Sequence, residues 1–236
     1  MKTSLAAVLC LGAAAVISAP DASANLIYNG SFEIGAPAST TPWTRLAPGS
    51  TALQGWTVGG VGTNTVRGVD WHNGAFNPGP AQSGSWMVDL NIDGTGGQGA
   101  GQGTISQAFA TVAGTYYSLS FWLAGPRSSE AGGTLNPRTV IVGLAGSTTQ
   151  TQTFTAPDAV STSLVWYQRN FDFIADSAST TLTFSPLAGT GANGYWGAFI
   201  DNVSVNTAVV PLPAPILLLG SGLLGLCCFG RARRRA

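Results

Sequence analysis

Between residues 116 and 123 the chain alternates: Tyr117, Leu119, Phe121 and Leu123 fall on one side, and Tyr116, Ser118, Ser120 and Trp122 on the other. A two-residue period marks a β-strand that turns one face to a core. Shorter runs of the same kind predict strands over residues 26–32, 56–58, 66–71, 85–90, 104–112, 139–144, 151–155, 164–174, 180–185 and 198–205. Turn-forming pairs such as Ala113-Gly114 and Gly125-Pro126 separate them, and the Gly-rich residues 94–103 and residues 130–137 read as loops. Nowhere in this body do apolar residues recur with the i, i+3, i+4, i+7 spacing of a helix. About nine to eleven short strands without helices predict an all-β, two-sheet jelly-roll sandwich.

The two ends follow other patterns. Lys2, an apolar stretch from Leu5 to Ile17 and the small residues Ala22-Ser23-Ala24 form a secretory signal peptide, with signal peptidase expected to cut before Asn25. Cys10 is not read as a lipid attachment site, because Leu9 stands where a small residue is required. At the other end, Val210, Pro211, Leu212, Pro213 and Ala214 precede an apolar run from Pro215 to Phe229 and then Arg231, Arg233, Arg234 and Arg235. The uninterrupted apolar helix after Pro215 is about 15 residues, short of the ~17–25 of an ordinary membrane span, and Gly220, Gly222 and Gly225 weaken it. The terminal Arg cluster would stay in the cytoplasm and leave the body outside. Three parts result: a signal peptide over 1–24, a β-sandwich over 25–206, and a sorting tail with a transmembrane helix over 207–236.

Composition narrows the function. Cys10, Cys227 and Cys228 all lie outside the body, so it folds in an oxidising compartment without a disulfide. Five Arg against nine Asp and Glu leave the body at about −4, with no basic cluster to hold nucleic acid. His72 is the single histidine, which leaves a Ser or Cys nucleophile poorly supplied with a base and a zinc site short of ligands. Beside Trp71, it reads as a polar surface or ligand-contact residue. Asp70 and Asp89 are the carboxylates with which a glycosidase pair would be tested, but isolated acids at strand ends more often serve turns and hydrogen bonds. Gly94-Thr95-Gly96-Gly97-Gln98-Gly99 matches a phosphate-loop pattern with no helix after it. Asp89-Leu90-Asn91-Ile92-Asp93-Gly94 opens like a calcium loop, but Ala100 occupies the twelfth position and the alternation suits a strand ending in a turn.

Particular motifs carry resemblances. The tail, in the order Val-Pro-Leu-Pro-Ala, apolar span, Arg cluster, resembles the PEP-CTERM sorting signal of Gram-negative bacteria, with Leu212 where the namesake motif has Glu. This implies export across the inner membrane, an exosortase-type processing enzyme as partner, and at least transient anchoring in the membrane. The opening Asn25-Leu26-Ile27-Tyr28-Asn29-Gly30-Ser31-Phe32-Glu33 and the closing Phe199-Ile200-Asp201-Asn202-Val203-Ser204-Val205 resemble the first and last strands of galactose-binding-like jelly rolls. With Gly68-Val69-Asp70-Trp71, Ser85-Trp86-Met87-Val88-Asp89-Leu90, Ile105-Ser106-Gln107-Ala108-Phe109, Tyr117-Ser118-Leu119-Ser120-Phe121 and Thr180-Thr181-Leu182-Thr183-Phe184 between them, the ordered set resembles the choice-of-anchor C family.

The resemblance implies a structural Ca²⁺ held by Glu33, Asp201 and backbone carbonyls. Asp201 shares parity with Val203 and Val205, so an inward carboxylate there would need a cation or several donors. Seven tryptophans lie in the body, about two thirds expected in its core, and indoles stack on the C–H faces of sugars. Trp71, Trp122 and Trp196 are the ligand-binding candidates. The expected function is a noncatalytic, exported surface or matrix protein whose sandwich binds polysaccharide. The alternatives are a purely structural matrix protein and, behind it, a carboxylate-based glycoside hydrolase.

Overall fold

The computed structural model describes residues 24–63, 66–76, 79–92, 101–125, 138–156, 163–187 and 196–208. Residues 1–23 of the signal peptide, the sorting motif Val210–Ala214 and residues 94–99 lie outside them. Among the described residues there are twelve strands and no helix: β1 Trp43–Leu46, β2 Thr57–Val61, β3 Val69–Asn73, β4 Trp86–Asp89, β5 Asn91–Ile92, β6 Gly101–Ala110, β7 Tyr116–Ala124, β8 Arg138–Ala145, β9 Thr149–Ala156, β10 Trp166–Ile174, β11 Ser179–Pro186 and β12 Phe199–Thr207. No helix of the described residues is long and apolar enough to cross a membrane.

The strands form two antiparallel sheets. One runs β1-β3-β4-β12-β7-β10; the other runs β2-β6-β11-β8-β9, with β5 also paired to β6. The alternation that marked β7 is the reason it can sit inside the first sheet: Leu119, Phe121 and Leu123 are fully buried between the layers. Phe121 meets Phe184 of the second sheet at 5.0 Å and Phe154 at 5.2 Å, edge to face, and thereby laces the layers together. Trp56, Trp71 and Trp86 belong to this core, and Trp71 packs on Trp86 at 5.5 Å.

The chain changes sheets at Leu90. Its N–H donates to the Ala198 carbonyl on the first sheet's side, while its carbonyl accepts from Gly103 of β6. The alternation Val88, Leu90, Ile92 therefore spans two sheets, and Asp89 stands at the corner between them.

Two segments differ from the sequence-based expectation. Residues 26–32 run alongside β12, with Leu26 N–H donating to the Val205 carbonyl and Val203 N–H to that of Gly30. They are not a strand, because Asn29 (φ 53°) and Phe32 (φ 59°) take left-handed conformations that break the pleat. A Cβ at Gly30 would stand 2.0 Å from the Val203 carbonyl oxygen, so only glycine permits this approach. The second difference is β1, which pairs with β3 at the sheet margin and carries too short an alternation, after a Pro-rich stretch, to be seen in advance.

Besides the main core the first sheet carries a smaller apolar cluster on its outward face. Met87, Ala124 and Phe199 point away from the second sheet and are covered by Leu164, with Ala81, Trp166 and Trp196 packed around them.

Candidate functional site

The outward face of the first sheet gathers most of the polar and aromatic groups with chemical potential. On β3 the pleat sends Val69 and Trp71 inward and Asp70 and His72 outward. Opposite them stand Arg45 and Trp43 on β1 and Asp89 and Met87 on β4. Further along the same face are Trp122 of β7 and Trp166 of β10.

Trp196 is built into this face from a loop. Its carbonyl accepts from buried Arg138 Nε at 2.9 Å, and the N–H of the next residue, Gly197, donates to Asp89 Oδ1 at 2.9 Å. Its ring lies 4.9 Å from His72 and 5.9 Å from Phe199. Two charged side chains thus grip the two ends of the Trp196–Gly197 peptide unit, which fixes the backbone that carries the indole.

His72 is 2 % exposed, and neither Nδ1 nor Nε2 has a hydrogen-bond partner. Trp43 stacks on it at 6.2 Å and Phe199 meets it edge-on at 5.8 Å. Burial lowers its pKa to about 3, so the ring is neutral under physiological conditions. Of the two readings of His72, surface residue or ligand contact, burial corrects the first: loop residue Trp196, distant in sequence, covers it. An unsatisfied buried polar group costs about 1–3 kcal/mol, whereas Phe would fill the same aromatic nest without that penalty.

Of the ligand-binding candidates, Trp71 is corrected. It is 1 % exposed and donates from Nε1 to the Phe32 carbonyl at 3.1 Å, deep in the main core, where no sugar ring reaches it. Trp122 and Trp196 stand half-buried on one face of one sheet. Two further indoles join them. Trp166 is half-buried with Nε1 bonded to the Pro80 carbonyl, and Trp43 is 43 % exposed. Three tryptophans of seven are buried, fewer than the two thirds expected. The parity of Trp166 with Gln168 and Asn170, polar residues of β10, was a usable signal for the outward face.

Asp70 and Asp89 are cross-strand partners on this face, both buried. Asp70 Oδ1 lies 3.8 Å from Arg45 Nε, and Asp89 accepts from the N–H groups of Asn91 and Gly197. Asp89 thereby secures the sheet corner and Trp196, the hydrogen-bonding role expected of an isolated acid.

The structure brings Glu33 close to Asp201, which lies on β12, an inner strand of the same sheet. Glu33 Oε1 accepts from the N–H groups of Ser85 at 2.8 Å and Trp86 at 2.6 Å. Gly84 (φ +67°) makes the cradle possible, since a Cβ there would fall 2.5 Å from that Oε1. Asp201 is 0 % exposed, with Oδ2 accepting from Ser83 and Oδ1 from Asn202. The expected parity of Asp201 with Val203 is corrected: a bulge at Asn202 (φ 48°) shifts the register, so Asp201 pairs with Trp122 on the outward side while Val203 turns inward. Loop residues near Ser83, not the main core, remove its water. Burial raises the Asp201 carboxyl to about 7, against the pull of N–H groups from Ser83, Asn202 and Gln82, and the nearby Glu33 raises it further.

Two neighbouring carboxylates are oxygen ligands of the kind a hard cation takes. The three left-handed non-glycine residues among those described, Asn29, Phe32 and Asn202, all lie on the segments that carry Glu33 and Asp201, and such strain persists where the surroundings overdetermine it. No three His, Cys, Asp or Glu side chains converge among the described residues. An ion of six to eight oxygen ligands would therefore draw most of them from main-chain carbonyls.

Fold and site together define a two-sheet jelly-roll module with one aromatic, outward sheet face. The chain belongs to the family described as "Protein of unknown function (DUF642)", whose model matches residues 25–206. No curated protein matches it. Among solved structures it is similar to the carbohydrate-binding module TmCBM61 in complex with β-1,4-galactotriose, at 18 % identity and a TM-score of 0.51, covering 79 % of this chain and 100 % of that one. It is also similar to the Stig cyclase Fisc from Fischerella sp. TAU, at 16 % identity and a TM-score of 0.52, covering 79 % and 98 %. These likenesses establish the jelly-roll fold.

Proposed function

We propose that the protein is an exported carbohydrate-binding module without catalytic activity, its sandwich displayed at the envelope or in the extracellular matrix. The observation that carries this reading is the placement of Trp43, Trp122, Trp166 and Trp196 on the outward face of one sheet, each a partly exposed residue. Indoles in that position offer flat apolar faces to sugar C–H groups, with polar groups nearby to set orientation. That a module of this fold is seen with β-1,4-galactotriose supports the reading.

The tether suits it. The described chain leaves the sandwich at Ala208, whose N–H donates to Tyr116 at the start of β7. Trp122 lies six residues along that strand, about 20 Å away at ~3.3 Å per residue, so a domain held by the 207–236 tail would carry its aromatic residues clear of the membrane. In this reading signal peptidase frees Asn25, and an exosortase-type enzyme acts at Val210–Ala214. Glu33 and Asp201 hold a structural Ca²⁺ that fixes the N-terminal segment against β12.

Retention of the 25–206 domain on immobilised polysaccharides tests binding. Trp196→Ala and Trp122→Ala are expected to weaken retention at least tenfold while leaving the fold intact by circular dichroism. No retention of the wild type across a broad glycan panel would replace this reading with that of a structural matrix protein. Cell fractionation with mass spectrometry of the mature termini tests export: an intact Met1 terminus in the cytoplasm would refute it.

A further inference from the structure

We propose that Trp43, His72 and Trp196 form a subsite for an uncharged sugar ring, with His72 as its hydrogen-bonding floor. The inference rests on the carbohydrate-binding reading and deepens it by naming a residue that selects the ligand. The indoles of Trp56, Trp71 and Trp166 are pinned by N–H bonds to the carbonyls of Asn29, Phe32 and Pro80. Among the described residues those of Trp43 and Trp196 make no such bond and keep a donor for a ligand. Between them the neutral imidazole supplies one donor and one acceptor, both without partners.

Access is through Trp43. It lies on β1, a four-residue strand at the margin of its sheet with a single neighbour, and its ring covers the imidazole at an interplanar angle of 27°. Rotation of this half-exposed indole uncovers His72, whereas Trp196 is held by the Arg138 and Asp89 clamp. A ring hydroxyl entering there replaces the missing partners of both nitrogens, and the two indoles take the ring's apolar faces.

The surroundings select against acidic sugars. Asp70 and Asp89 lie beside His72 on the same face, Arg45 is engaged by Asp70, and Arg138 by the Trp196 carbonyl. Among the described residues a uronate carboxylate would meet the carboxylates of Asp70 and Asp89 there, against one partly exposed guanidinium, that of Arg45, which already lies 3.8 Å from Asp70, so the subsite takes neutral hexoses.

Isothermal titration of the 25–206 domain with neutral trisaccharides, including β-1,4-galactotriose, and with trigalacturonate tests this. The wild type is expected to bind a neutral trisaccharide at least tenfold more tightly than trigalacturonate. His72→Phe is expected to fold, melt no lower than the wild type and lose at least tenfold in affinity. As a check that needs no variant, the His72 imidazole ¹⁵N resonances should shift on saturation with the neutral trisaccharide. Unchanged binding by His72→Phe alongside loss in Trp196→Ala, static ¹⁵N resonances at saturation, or a preference for trigalacturonate would each overturn the subsite but leave carbohydrate binding standing. Absence of binding by the wild type would overturn both.

Discussion

Asp201→Asn is expected to stabilise the calcium-free protein at pH 8 by about 3–4 kcal/mol and to abolish its response to calcium. Burial is the cause. Asp201 is held among N–H donors in a site closed to water, beside Glu33, and its carboxyl is raised to about 7 from an ordinary 3.8. A tenfold change in proton affinity on folding corresponds to about 1.4 kcal/mol of differential stabilisation between the two protonation states. At pH 8 the native protein must carry a buried carboxylate that the unfolded chain carries in water. An amide matches the protonated acid in size and removes that burden, at the cost of one N–H bond, since its NH₂ cannot accept the bond that Asp201 now takes from either Ser83 or Asn202.

A bound Ca²⁺ would remove it differently, by supplying the opposite charge. Millimolar Ca²⁺ is accordingly expected to raise the melting temperature of the wild-type domain at pH 8 and to leave Asp201→Asn unmoved, as read by scanning calorimetry with and without EGTA. An upward shift of equal size in both proteins would refute the site at Glu33 and Asp201. Asp201→Asn less stable than the wild type in EGTA would show that the bonds from Ser83 and Asn202 outweigh the buried charge.

How far this site was legible in advance depends on which residues are considered. The strands of the core announce themselves wherever one face is apolar, and the pleat of β7 follows directly from its alternation. Trp71 and Trp122 were also distinguishable by parity. Trp71 falls in step with Val69 and goes inward, whereas Trp122 is out of step with Phe121 and Leu123 and goes outward. Asp201 was not legible in the same way. One extra residue at Asn202 reverses the parity on which its orientation was argued, and a bulge leaves no mark in the hydrophobic pattern. The conformations of Asn29 and Phe32, which turn an apparent first strand into a looped segment, are equally silent. His72 owes its burial in part to a loop tryptophan, Trp196, that local pattern cannot bring to it. Short-range periodicity thus reveals the sheets, while the site is made by register shifts and by loops closing over a sheet face.

The same two buried groups predict an unusual dependence of stability on pH. For His72 the pKa falls from 6.5 to about 3 on folding, so between those values the unfolded chain binds a proton that the native state refuses. Stability from this source is complete above pH 6.5 and is lost as pH drops toward 3, to a total of about 4–5 kcal/mol. Asp201 acts in the opposite sense. From pH 3.8 to about 7 the native state keeps a proton that the unfolded chain has released, so stability falls as pH rises through that window. Where the windows overlap, from about pH 4 to 6.5, one proton is gained and one is lost on unfolding. The wild type in EGTA should show nearly constant unfolding free energy there by urea titration. The depressed carboxyl of Asp176, held by the Thr148 hydroxyl and by the N–H groups of Ser147 and Thr148, titrates below this range. Removing either partner should expose the other. In Asp201→Asn, or in the wild type saturated with calcium, stability should climb with pH by about 1.4 kcal/mol per pH unit, the signature of one buried neutral imidazole. In His72→Phe without calcium it should decline by a similar slope. A wild-type profile with the full one-proton slope in EGTA would mean that Asp201 is ionised in the native state, and would remove the electrostatic need for a cation beside it.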